Sequence, residues 1–188
     1  MVSLFLVTLI LGSLEMGLGW RASLTNVNAA RAGARVGSSQ GAATLADQAA
    51  LLSVAAGIKS LTGDTLTKVV IFKATSATGT VPAACLTPAI LTAGGSSANQ
   101  CNVYSGTYIA TLVANPSGTA SQFAGACNTA RRDRFWCPTS RSNLQGSAAG
   151  LDQVGVYVEI NHPTKTQILG ASISIKDTAV MRIEPKQT

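Results

Sequence analysis

The pattern of apolar and polar positions divides the chain into three regions. From Val2 to Trp20 the run VSLFLVTLILGSLEMGLGW carries a single charged side chain, Glu15. At about 1.5 Å per residue this run of about nineteen residues makes a helix of roughly 28 Å, close to the thickness of a bilayer core. We read it as a single membrane span. A core helix apolar on every face needs a larger protein around it, and neither a basic segment before the run nor an A-x-A pattern after it marks a secretory signal. Two readings of Glu15 stand side by side. Its carboxylate snorkels to water at the level of Trp20 and Arg21, or it finds a partner such as an amino terminus or a basic group of a neighbouring subunit.

The pattern then becomes helical and amphipathic. Leu24, Val27, Ala30 and Ala34 recur at three-to-four spacing without an intervening proline, so the first helix is expected to run to about residue 36, a rod of about 50 Å. Gly33, Gly37 and Gly41 fall four apart, which either lets another backbone approach one helical face or marks the helix end. TLADQAALLSVAAGIKSL predicts a second helix, capped by Thr44, with a stripe of Leu45, Ala49, Leu52, Ala55, Ala56 and Leu61.

Strand patterning follows. KVVIFKA at 68–74 reads as a β-branched strand, with Gly63-Asp64 marking the turn before it. Alternation marks two more, VGVYVEI at 154–160, with Val154, Val156, Val158 and Ile160 on one face, and ILGASISIKDTAVMRIEP, with Ile173, Ile175, Val180 and Ile183. Between them, residues 75–150 are punctuated by Gly, Pro, Ser and Asn, with TYIATL at 107–112 as a short strand or helix. Two helices feeding a small antiparallel sheet make an α+β fold. The expected division is a transmembrane or filament-core helix and stalk over 1–36, and an extracellular α+β head over 42–188 that carries the 75–150 loop region.

Composition sharpens this picture. With 46% hydrophobic but only 12% charged residues the chain suits a packed extracellular module. Its four cysteines, Cys85, Cys101, Cys127 and Cys137, all lie in the loop region, where an even count outside the membrane reads as disulfides. Of three pairings we favour the sequential one, Cys85–Cys101 and Cys127–Cys137, because each closes a loop with little apolar sequence to fix it. No C-x-x-C is present and His162 has no partner at ligand spacing, so no metal or other cofactor is expected. The net charge of +6 is scattered, with its densest cluster at Arg131, Arg132 and Arg134 beside Trp136. That cluster is a candidate surface-binding patch, although a solvated loop is the simpler reading and nucleic acid the less favoured partner.

The pieces AARAGARVGSS at 29–39, VVIFKA at 69–74, DRFWCPTSR at 133–141, GVYVEI at 155–160 and DTAVMRIEP at 177–185 carry a resemblance. In this order they resemble the TadE-like proteins of the tight-adherence (Tad) pilus system. The opening VSLFLVTLILGSLEMG resembles the single span of that family ending in Glu-x-Gly, which falls on Glu15 and Gly17. Leu4 or Phe5 stands where pilins of many systems carry an early glutamate. The resemblance implies a pilin-like protein inserted by its N-terminal helix, trimmed by a prepilin-type peptidase, and handled by pilus machinery. Its partners would be copies of itself or other Tad pilins. It would be single-pass in the membrane before assembly and extracellular afterwards, with Glu15, Gly12, Gly17, Gly33 and Gly37 as helix-packing positions.

An enzyme is not expected. The chain has one histidine and lacks G-x-S-x-G, H-E-x-x-H and P-loop signatures. The leading expectation is a structural pilin-like subunit displaying its head for surface attachment. The alternative is a membrane-anchored binding module, or a pilus-assembly factor outside the filament, that uses the 75–150 loop.

Overall fold

In the computed structural model, which describes residues 2–86, 100–144, 150–166 and 170–185, the strand-patterned stretches form one antiparallel sheet. Its strands are β1 (Thr65–Ala74), β2 (Cys101–Ser105), β3 (Gln153–Pro163) and β4 (Ser172–Arg182), in the order β2-β1-β3-β4. The helices are α1 (Val2–Gln40), α2 (Ala46–Ile58), α3 (Gly106–Ala114) and α4 (Pro116–Thr119). The fold is α+β.

Alternation decides which side chains meet the helices. Val69 and Ile71 of β1, and Val154, Val156, Val158 and Ile160 of β3, turn to the helical side and join one core with Ala29, Ala30 and Ala34 of α1, Leu51 and Val54 of α2, and Ile109 and Leu112 of α3. Val70, Phe72, Val103 and Tyr157 point to the opposite face, where the turn Ala83–Leu86 covers them through the Cys85–Cys101 disulfide. Gly155 faces Phe72 across the β1–β3 pair, and a Cβ there would enter the ring of Phe72. On β4, Ile175, Ala179 and Met181 pack on the helical core. Val180 pairs with Gly155 and falls on the other face, so the expected grouping of Val180 with Ile173, Ile175 and Ile183 is corrected by the strand register.

The first helix is longer than expected and is not a free stalk. It continues through Gly37 and stops where Gly41 takes a left-handed φ of 53°, its N–H bonding to the Gly37 carbonyl at 3.1 Å. Its buried face is Ala22, Asn26, Ala29, Ala30, Gly33 and Ala34, whereas Leu24 is exposed. The small residues let three layers come close. A Cβ on Gly33 would overlap Val54 of α2 and crowd Val156 of β3 at 3.3 Å, and one on Gly37 would lie 3.2 Å from Val154. Across the same seam Gly57 of α2 rests against Ala29, where a Cβ would come within 3.0 Å of the Ala29 Cα. Gly33 and Gly37 therefore pack within the molecule, which corrects their assignment to contacts between subunits. Residues 22–37 belong to the same core as the head, so the boundary expected between 36 and 42 falls inside one packed body.

The second helix is rotated relative to its expected stripe. Ala46, Ala50, Leu51 and Val54 are buried and Leu52, Ala55 and Leu61 pack partly buried against the core, while Leu45 and Ala56 are exposed, because α2 packs on α1 along one side and on α3 along another. Its N-cap is Leu45, without a side-chain cap, in place of the expected Thr44. The stretch at 107–112 resolves as helix α3, whose N-cap Ser105 accepts a hydrogen bond from the Tyr108 N–H at 3.3 Å.

These contacts set two expectations. Gly33→Leu forces atoms into the Val54 and Val156 side chains, and overpacking of this kind costs about 2 kcal/mol, or about 4–8 °C of melting temperature for a chain of this size. Calorimetry of the purified full chain checks this, and an unchanged midpoint would contradict the intramolecular seam. The second concerns Glu159, which accepts from the Tyr157 hydroxyl at 2.7 Å and from Ser174 at 3.1 Å, and pairs with Lys68 at 3.0 Å. Burial works to raise its pKa, but the hydrogen bonds from Tyr157 and Lys68 outweigh it and hold the carboxyl below its ordinary value. A depressed folded pKa gives stability that is full above the ordinary carboxyl range and lost as pH falls through the folded value. Melting curves taken between about pH 6 and about pH 3 should decline more steeply for the native chain than for Glu159→Gln. Parallel declines would exclude Glu159 from the acid response.

Candidate functional site

The N-terminal end of α1 stands apart from the core. Val7, Leu9, Ile10, Leu14 and Met16 are exposed, Ile10 to 64% and Met16 to 66%, and Trp20 reaches 68%. Folding ordinarily buries such side chains at about 1.5–3 kcal/mol each, so a helix end displaying them is a surface awaiting an apolar environment. Gly12 and Gly17 lie in this stretch, and a Cβ on either would meet nothing within 4 Å. These two glycines remain open to another body, unlike Gly33 and Gly37.

Glu15 interrupts the display, and it is the partner question posed by the sequence that the fold answers. The side chain is 2% exposed. Its Oε1 accepts the Lys165 backbone N–H at 2.8 Å, and its Oε2 accepts the Thr166 N–H and hydroxyl, each at 3.1 Å. The β3–β4 turn thus reaches α1 and is clasped there. The carboxylate neither snorkels to water nor waits for a neighbouring subunit; its partners are in its own chain.

The clasp limits how much of the apolar run is free. Glu15 is buried and Leu18 and Gly19 are half-buried, so the unaccompanied helix ends at Leu14, short of the Trp20 boundary expected from the sequence. Among the described residues no helix is long and apolar enough to cross a membrane.

The expected surface patch at 131–136 is dispersed. Arg131 is 1% exposed and lies in a bidentate pair with Asp133, Nε to Oδ1 at 2.7 Å and Nη2 to Oδ2 at 2.6 Å, while donating to the carbonyls of Gly125 and Thr44. Those carboxylate bonds raise its pKa further. Trp136 is 3% exposed beneath the guanidinium of Arg141, 4.1 Å from its ring centroid. Arg132 is exposed over Tyr108, and Arg134 is half-buried against Phe135. Arg131 and Trp136 are therefore removed from the candidate binding residues: the buried Arg131 guanidinium is taken up by the Asp133 carboxylate, and the Trp136 indole by the guanidinium of Arg141.

The sequence reading missed the buried group that organises this loop. Asp47, on the first turn of α2, accepts from Arg141 at 2.5 Å, from Asn102 at 2.8 Å and from the Tyr104 hydroxyl at 2.9 Å. Burial, and then the Asp47 charge, push the Tyr104 hydroxyl well above its ordinary pKa, so it remains a donor. Asn102 also exchanges hydrogen bonds with the backbone of Trp136. The available signal was a lone carboxylate in the apolar helix ADQAALLSVAAGI. The cysteines pair as expected, Cys85 with Cys101 and Cys127 with Cys137.

His162 and Asp64 form a second missed pair, Nδ1 to Oδ1 at 2.7 Å, beside a small hollow of about 60 Å³ bordered by Leu18, Arg21 and Leu61. Among the described residues no three His, Cys, Asp or Glu side chains gather as metal ligands. No family model, no curated protein and no solved structure matches this chain.

The clasp makes its own prediction. Glu15→Ala removes the acceptor for two backbone donors, so the Lys165 and Thr166 amides should exchange with solvent deuterium markedly faster, while β1 and β3 amides keep their protection. Equal exchange at 165 and 166 in both proteins would contradict a working clasp.

Proposed function

We propose that this chain is a structural, pilin-like subunit of an extracellular filament of the Tad type. The apolar end of α1 lodges in the membrane before assembly and in the filament core afterwards, and the α+β head is displayed outside. The observation that carries this reading is the combination at α1: one continuous helix whose second half is buried in the head and whose opening turns expose Val7, Leu9, Ile10 and Leu14. A rigid head continuous with an apolar rod suits helical packing in a shared core, where the exposed side chains are buried by copies of themselves. The resemblance to TadE-like proteins supports the same reading. The Arg131–Trp136 motif gives less support to a loop-based binding module, since Arg131 and Trp136 serve the interior.

Within this reading the glycines that matter for assembly are Gly12 and Gly17. Electron microscopy of the sheared surface fraction, with mass spectrometry identifying the chain, should find it in filaments. Gly12→Leu or Ile10→Arg should abolish or thin those filaments while leaving the melting temperature of the chain within about 1–2 °C of native, since neither site touches the core. Absence of the chain from surface filaments, or unchanged filaments from both variants, would overturn the proposal.

A further inference from the structure

The acidic side chains are almost all consumed inside the fold, and this leaves the surface cationic. Glu15, Asp47, Asp64, Asp133, Asp152 and Glu159 are each held by a hydrogen bond or ion pair within the chain. Three exposed cations gather where α1 enters the head. Arg21 borders the small hollow together with Ser60 and Thr62, and Lys59 is the C-cap of α2 immediately before Ser60. Lys165 sits on the turn clasped by Glu15, its Nζ 3.9 Å from where a Cβ on Gly63 would lie. None of the three is ion-paired among the described residues. The carboxylates nearest to them, Glu15 and Asp64, are turned to the 165–166 turn and to His162.

We propose that Arg21, Lys59 and Lys165 form a basic collar that seats the head on the phosphate headgroups of anionic lipids. This rests on the reading that the apolar end of α1 enters a membrane. The geometry then fixes the level of the collar. The exposed apolar turns give way at Leu14 to the clasped Glu15, so drawing those turns into lipid brings Glu15 and the turn it holds to the edge of the apolar layer. Lys165 arrives with that turn, Arg21 and the exposed Trp20 stand about one and a half helical turns above, and Lys59 flanks them from α2. An indole beside unpaired cations at the edge of an apolar helix suits the headgroup layer, and cations there favour anionic over neutral lipid. The clasp thus has a second consequence: it holds Lys165 at the depth where phosphates lie.

The test is flotation of the full-length chain with neutral phosphatidylcholine vesicles and with vesicles containing about one third phosphatidylglycerol. At low salt the chain should partition onto the anionic vesicles on the order of a hundredfold more strongly, a gap that narrows as salt is added. Arg21→Gln, Lys59→Gln and Lys165→Gln combined should erase most of that gap and leave binding to neutral vesicles unchanged. An equal-charge control, Arg35→Gln, Arg132→Gln and Arg182→Gln, should keep it. All six side chains are exposed, and an unchanged melting temperature verifies folding of both variants. Equal partition of the native chain onto both vesicles, or a control that loses as much as the collar variant, overturns the collar. Loss of binding to neutral vesicles alone, with the anionic preference intact, counts against the membrane role of the apolar helix and leaves the collar standing.

Discussion

Close approach of α1 to α2 and to the sheet is the contact on which the remaining structure depends. It is made by what is missing from the side chains: Ala22, Ala29, Ala30, Gly33, Ala34 and Gly37 present a nearly flat helical surface, and Val54, Val154 and Val156 fill it. The consequence reaches beyond packing density. A helix that lies this close to β3 places Asn26 where its amide donates to the Val158 carbonyl at 3.2 Å, and places Ser38 where its hydroxyl donates to the Arg182 carbonyl at 2.5 Å. The helix is locked in position and in rotation along the strands. Its exposed opening turns are therefore aimed by the head, and an apolar rod aimed by a rigid body differs physically from one hung on a flexible linker.

Glu15 extends the same constraint past the end of the sheet. A carboxylate accepting two backbone N–H groups and a hydroxyl gains more than a lone hydrogen bond, because charge-assisted bonds are stronger and the turn would otherwise leave those donors to water. The partners lie 150 and 151 positions away. This separation explains why the sequence alone raised the question without answering it: an isolated charge in an apolar run says that a partner is required, not which one. The same holds for Asp47, lone in α2, whose Arg141 partner is 94 positions downstream.

What was legible is what local periodicity controls. Strand β1 announced itself by its β-branched run, β3 and β4 by alternation, and the sequential disulfides by the loops they close. Strand β2 did not, since CNVYS is five residues long and holds an asparagine; its place is set by pairing with β1 and by Cys85. On α1 the expected stripe holds at Ala30 and Ala34 but fails at Leu24, because Leu24 outweighs Ala22 and Ala29 on any hydropathy count, whereas close approach selects small residues over apolar ones. The 131–136 cluster was misread for a related reason. Sequence cannot distinguish an arginine that faces water from one sealed against an aspartate two residues on, and the deciding bonds to Gly125 and Thr44 are tertiary.

These interior pairs also explain how a chain with so few charges presents a cationic exterior. With 14 basic and 8 acidic residues, each carboxylate drawn inside removes negative charge from the surface. Arg131 and Arg141 go inside with Asp133 and Asp47, but Glu15 is held by backbone amides and a hydroxyl and Asp64 by an imidazole at Oδ1, and so they take no surface lysine or arginine with them. Both of these lie at the lower end of the head, where α1 emerges. Arg21, Lys59 and Lys165 thus stand unpaired beside the apolar helix, and the hydrogen bonds that fasten the β3–β4 turn place Lys165 among them, so that clasp and collar share a single use of Glu15.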